Sequence, residues 1–254
     1  MTLGYRLDGP EDASGLALFG SLGTTTSMWE SQLAAFASQF RVVRFDLPGH
    51  GTSPVSDLPV TVAGIATSAL AVLDEHGIDR VAVCGLSLGG MVAMWLGANA
   101  PERVGRLVLA CTGAKLGTAQ AWTERAELVR REGTAAVAAG VRERWFTPSF
   151  RDSPAAQAVV QELLAIPAEG YARGCEAVGA FDLHGELGRI GQPVLVLSGA
   201  EDPVAPPDVV DALAGGIPDA VLTTIPHAAH LANVEQADAF TAAVLSHLGE
   251  RAVV

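Results

Sequence analysis

Val81-Ala82-Val83-Cys84-Gly85-Leu86-Ser87-Leu88-Gly89-Gly90-Met91-Val92-Ala93-Met94-Trp95-Leu96 is the stretch on which the fold turns. Its first four residues form a short apolar run, which predicts a buried strand. From Leu88 onward the residues are apolar on most faces, which predicts an interior helix. Between the two lies Gly85-Leu86-Ser87-Leu88-Gly89, a Gly-x-Ser-x-Gly turn. A serine on so tight a strand-to-helix turn needs small residues two positions away on either side. Larger side chains there would collide with each other or with neighbouring backbone. The turn lifts the Ser87 hydroxyl above the end of the strand, close to a helix N-terminus that favours developing negative charge. The pattern and its context together predict a nucleophile at Ser87.

Outward from this turn, apolar strand patterns alternate with helical ones. Strands are predicted at residues 16–20, 41–46 and 106–111, with helices at 27–38 and 62–76. From about 114 to 190 the alternation stops: helical patterns run over 123–131, 134–145 and 154–164, with no strand between them. It resumes with strands at 193–198 and 220–225 and helices at 207–213 and 234–248. Such alternation predicts an α/β protein with a mostly parallel sheet and helices on both faces. Residues 1–113 and 191–254 would form this core, and residues 114–190 an inserted helical lid. An insertion after a strand projects from the carboxyl ends of the sheet, where ligands bind.

A serine hydroxyl is a poor nucleophile at neutral pH and needs a histidine to take its proton, with an acid to orient that histidine. In the serine, acid, histidine order of this kind of turn, His227, His230 and His247 are late enough. His247 lies near the C-terminus and is expected at the surface. His227 and His230 both follow the last strand, and His230, just before the final helix, is the preferred base. Asp202, in Ala200-Glu201-Asp202-Pro203, is the preferred acid over Glu201, because Pro203 biases the residue before it toward an extended backbone. After the strand at 106–111 the sequence reads Thr112-Gly113-Ala114 and offers no competing carboxylate. An oxyanion needs two converging backbone N–H groups. Leu88 and Leu22, the latter flanked by Gly20 and Gly23, are the candidates. His50, in Pro48-Gly49-His50-Gly51, is read as a structural turn residue.

The chain has 254 residues, 49 % of them hydrophobic, enough for a substantial core. A net charge of −12 argues against nucleic acid and anionic membrane surfaces as partners, since both select basic surfaces. Three cysteines, Cys84, Cys111 and Cys175, make no disulfide framework. With no apolar leader and no run long enough to span a bilayer, a cytoplasmic protein is expected.

Several segments carry a family resemblance. Gly20-Ser21-Leu22-Gly23-Thr24 with Met28-Trp29, the stretch from Cys84 to Trp95, Arg144-Trp145-Phe146-Thr147-Pro148, Glu169-Gly170-Tyr171, and Ala228-Ala229-His230-Leu231 with Val234-Glu235-Gln236 are similar to segments of bacterial 3-oxoadipate enol-lactonases. These belong to the α/β-hydrolase superfamily. The resemblance implies an α/β-hydrolase fold, a Ser87–His230–Asp202 triad and a small-molecule lactone or ester as partner. It also implies an acyl-enzyme mechanism that needs no metal or organic cofactor. Arg144, Trp145, Met28 and Trp29 are candidates to contact substrate. Two departures stand out: Gly179-Ala180 where the family usually carries Arg-Asp, and His227 where it usually carries glycine. They leave open a broader carboxylesterase, lactonase or perhydrolase, and, in another class, a ligand-binding protein that has lost its chemistry.

Overall fold

The apolar run before Ser87 forms the middle of a seven-stranded sheet. In the computed structural model, which describes residues 1–249, the strands are β1 (Tyr5–Asp8), β2 (Gly15–Phe19), β3 (Arg41–Phe45), β4 (Val81–Leu86), β5 (Val104–Ala110), β6 (Val194–Gly199) and β7 (Val221–Ile225). Their order across the sheet is β1-β3-β2-β4-β5-β6-β7. Only β1 runs antiparallel, pairing Tyr5 with Phe45; the remaining pairings are parallel. Every residue of β2 and of β6 is buried, the mark of a sheet covered on both faces. The edge strand β1 was not foreseen. Its half-exposed residues lack the apolar run by which the inner strands are recognised.

Helices α1 (Glu30–Ala37), α2 (Val62–Glu75) and α3 (Leu88–Asn99) follow β2, β3 and β4. α3 packs on β4 and β5 with α2 beside it. Ten of its twelve residues are buried, as its uniformly apolar sequence requires. Between β5 and β6 come α4 (Ala119–Glu132), α5 (Ala135–Trp145), α6 (Pro154–Ala165) and α7 (Ala168–Ala180). The chain leaves and rejoins the sheet on adjacent strands, with Leu107 paired to Val194, so these four helices interrupt the sequence but not the sheet. α4 and α7 pack closely and are bridged by Arg130 to Glu169 and to Glu176, each at 2.7 Å. The chain closes with α8 (Pro207–Gly216), α9 (Ala232–Glu235) and α10 (Ala237–Gly249). The single final helix expected from the sequence is thus two, broken at Gln236. Among the described residues no helix is long and apolar enough to cross a membrane.

Candidate active site

Ser87 sits between β4 and α3 with φ 59° and ψ −116°, a conformation that a non-glycine residue adopts only under constraint. The constraint is visible in its neighbours. A Cβ on Gly85 would lie 2.0 Å from the Gly89 carbonyl oxygen, and one on Gly89 would lie 2.1 Å from that of Phe19. The turn is then tied down by hydrogen bonds. Ser87 N–H donates to Ala110 O at 2.9 Å, and the Thr112 hydroxyl donates to Ser87 O at 2.8 Å. Gly89 N–H donates to Gly20 O at 3.1 Å, which fixes the loop after β2 against the turn.

His230 follows β7 and is 2 % exposed. Its Nδ1 lies 3.0 Å from Asp202 Oδ2 and 3.2 Å from Oδ1. A carboxylate only accepts, so this pairing assigns the proton to Nδ1 and leaves Nε2 as the acceptor. Asp202, 4 % exposed, also accepts the N–H groups of Val204 at 2.8 Å and Ala205 at 3.2 Å on Oδ1. These neutral donors satisfy a buried anion that would otherwise be costly to desolvate. The competitors fall away: Glu201 and His227 are exposed. His227 has φ 54°, in the left-handed region where glycine is at ease, which accounts for the glycine usual there. His247, expected at the surface, is buried on α10.

Ser87 and His230 line one small cavity of about 30 Å³, together with Ser21, Leu22, Trp122, Arg125, Val141, Arg144, Trp145, Tyr171 and Val204. Leu88 opens α3, so its N–H has no intrahelical acceptor. Leu22 stands on the loop held by Gly89. Of the residues expected to touch substrate, Arg144 and Trp145 do wall this cavity. Met28 and Trp29 do not. Met28 packs beneath Gly20, with its sulfur 2.6 Å from where a Cβ would stand, and Trp29 is fully buried against Phe240, ring centroids 6.1 Å apart. Both are large apolar side chains on the inner face of the turn that carries the loop, where core burial claims them.

Arg125 was not singled out in the sequence, because one arginine in a charged helix gives no signal. It donates to the Tyr171 hydroxyl and lies 5.5 Å from both the Trp122 and the Tyr171 ring centroids. Burial pushes the Tyr171 hydroxyl up to about 12, so it stays protonated. Burial, and then the neighbouring Arg125, hold Arg144 below its ordinary pKa. Among the described residues neither guanidinium has a carboxylate within ion-pair distance. Two neighbouring arginines are engaged elsewhere: Arg142 of α5 with Asp152 at 3.3 Å, Arg173 of α7 with Glu169 at 2.8 Å. Beyond Arg125 and Arg144 a second, more apolar cavity of about 220 Å³ opens between Leu116, Trp122 and Val204.

His50 is fully buried, and its Nε2 accepts Gly23 N–H at 3.1 Å while Nδ1 faces Pro48 O at 3.0 Å. Burial lowers its pKa to about 4, so it remains neutral and can accept. All three cysteines are free and buried; burial and then Asp202 raise the Cys111 thiol, keeping it protonated. Among the described residues no three His, Cys, Asp or Glu side chains converge to hold a metal ion.

A mostly parallel sheet with a strained serine at the end of its central strand, sharing one cavity with the histidine of a buried His–Asp pair, defines a class. Residues 17–243 match the alpha/beta hydrolase family, and the chain belongs to that family; it is a hydrolase. It is 39 % identical to 3-oxoadipate enol-lactonase 2 of Acinetobacter baylyi over 96 % of this chain and 92 % of that protein. Its fold superposes on the crystal structure of the enol-lactonase from Burkholderia xenovorans LB400 with a TM-score of 0.95 at 38 % identity, covering 98 % of this chain and 96 % of that one. A hydrolase from Pseudomonas aeruginosa is similar at a TM-score of 0.94 and 43 % identity, covering 98 % and 94 %.

Proposed function

We propose that the protein hydrolyses a small lactone or ester bearing a free carboxylate, and that the substrate is 3-oxoadipate enol-lactone, giving 3-oxoadipate in the breakdown of aromatic compounds. One observation carries the reading: the small cavity shared by Ser87 and His230 is roofed by two guanidiniums without carboxylate partners. Two like charges brought together in a half-buried wall cost stability unless an anion joins them. A substrate carboxylate is that anion, and the relatives named enol-lactonases support it.

His230 Nε2 takes the Ser87 proton as Oγ attacks the lactone carbonyl. The N–H groups of Leu22 and Leu88 stabilise the oxyanion. Collapse breaks the ring C–O bond, the leaving oxygen receives the proton from His230, and the enol becomes a ketone. A water then gives its proton to His230 and attacks the acyl-enzyme, and His230 passes that proton to the departing Ser87 Oγ as the product acid is released. Asp202 fixes the imidazole tautomer and stabilises the imidazolium. Helices α4–α7 act as the lid, holding the substrate carboxylate on Arg125 and Arg144.

Loss of enol-lactone absorbance, measured with the purified protein beside Ser87→Ala and a neutral aryl ester, tests this. Fast lactone turnover that the substitution abolishes supports it. A second reading, a broader carboxylesterase, is favoured by Gly179 and by the apolar outer cavity. Ester turnover without lactone turnover would select it and overturn the first.

A further inference from the structure

Glu235 is a buried carboxylate, 7 % exposed, that the chemistry above does not use. It closes the four-residue helix α9. Its Oε1 accepts Thr147 N–H at 3.1 Å and also the Thr147 hydroxyl. Its Oε2 accepts Ala229 N–H at 2.9 Å. No cation pairs with it among the described residues, so three neutral donors satisfy the charge. Burying a carboxylate is costly unless its oxygens are hydrogen-bonded, and here the donors come from two separate parts of the chain. The two sides that meet here are the end of α5, in the middle of the inserted helices, and the loop that carries His230.

A further bond makes the same connection. Leu231 N–H donates to Trp145 O at 3.0 Å. The segment 145–147 therefore holds the backbone on both sides of His230: Leu231 directly, and Ala229 through Glu235. That segment also ends α5, which presents Arg144 and Trp145 to the cavity. We propose that Glu235 is a positioning residue that locks the base loop to the substrate-facing end of α5, so that carboxylate recognition and the His230 imidazole move as one rigid body. A carboxylate suits this role better than an amide. It accepts on both oxygens, whereas Gln would have to turn an NH2 donor toward one of three donors. This inference rests on His230 being the base.

The test uses the full-length enzyme with Glu235→Gln, Thr147→Val and Thr147→Ser, measured on the enol-lactone and on a neutral aryl ester. Glu235→Gln is expected to lower kcat about 10–100-fold on both substrates while KM for the neutral ester stays within about threefold. Thr147→Val should lose about threefold to tenfold, and Thr147→Ser should restore kcat. The Nδ1–H proton resonance of His230, read by NMR without any substrate, should broaden or vanish in Glu235→Gln and persist in Thr147→Ser. Unchanged kcat and an unchanged resonance would overturn the proposal, as would a loss of kcat that merely follows the folded fraction. If Glu235→Gln fails to fold, the Thr147 pair decides: equal kcat in Val and Ser overturns it. Ser87→Ala and fluorophosphonate labelling of Ser87 run in parallel. Turnover in Ser87→Ala close to that of the unaltered enzyme would defeat the triad itself, whereas a Ser87→Ala slowed by about 10⁴-fold beside a normal Glu235→Gln would defeat only the positioning role.

Discussion

The two walls of the cavity are built by different means. On the sheet side, backbone geometry does the work. Ser87 is strained, Gly85 and Gly89 leave no room for a Cβ, and neutral N–H groups aim at Asp202. On the helical side, long side chains do it. Arg125 and Arg144 reach inward from α4 and α5, and Tyr171 from α7. Backbone geometry tolerates little variation, whereas a wall of flexible side chains can be retuned one residue at a time. The sheet side should therefore govern whether the reaction happens and the helical side which molecule undergoes it.

That division can be broken at several points. The largest effect belongs to the sheet side: Ser87→Ala should lower kcat by about 10⁴-fold or more on lactone and ester alike. A loss confined to one substrate in steady-state assays would end the division. Next is His50. Its pKa is lowered to about 4 in the fold from an ordinary 6.5. Between those values the unfolded chain binds the extra proton and the folded one does not. Stability from this group is thus complete above about pH 6.5 and is lost as pH falls toward 4, by roughly 3 kcal/mol at most. Denaturant unfolding across that window should show a shallower pH dependence in His50→Gln; an identical slope would assign the effect to another group. On the helical side, Arg125→Met or Arg144→Met should raise KM for the carboxylate-bearing lactone about tenfold to 100-fold, the loss of a charge-assisted bond of about 1.5–3 kcal/mol, and spare the neutral ester. Equal effects on both substrates would make the arginines structural. Smallest is the outer face of the insertion. Arg130 bridges Glu169 and Glu176 near the surface, so Arg130→Met should change the free energy of denaturant unfolding by no more than about 1 kcal/mol and leave kcat unaltered.

The turn at Ser87 was legible because its glycines are demanded locally, by neighbours within four residues or on the adjoining strand. Asp202, which the structure pairs with His230, was singled out because Pro203 and the preceding strand limit where a carboxylate can stand. The helix α7 was not legible. Its glycines disfavour a helix by about 1 kcal/mol each, and the reason for them lies elsewhere in the chain. A Cβ on Gly170 would lie 2.6 Å from the Gly49 carbonyl, and one on Gly174 would lie 2.3 Å from the Leu22 side chain. α7 must lie flat on the loops after β2 and β3, the first of which bears the candidate oxyanion donor. Nor could the sequence separate the arginines. Arg142 and Arg144 stand two apart, yet one meets Asp152 and the other the cavity.

By itself the sequence determined the alternation of strand and helix and the strained turn with its serine. Both are dictated by contacts close along the chain or by the pattern of apolar residues within each element. Only the tertiary structure decided that Glu235 and Thr147, 88 residues apart, share a buried carboxylate. Only there do Met28 and Trp29 turn into the core while Arg125 turns to the cavity. Those outcomes depend on which surfaces of separate helices meet, and helical periodicity says which face is apolar but not what it faces.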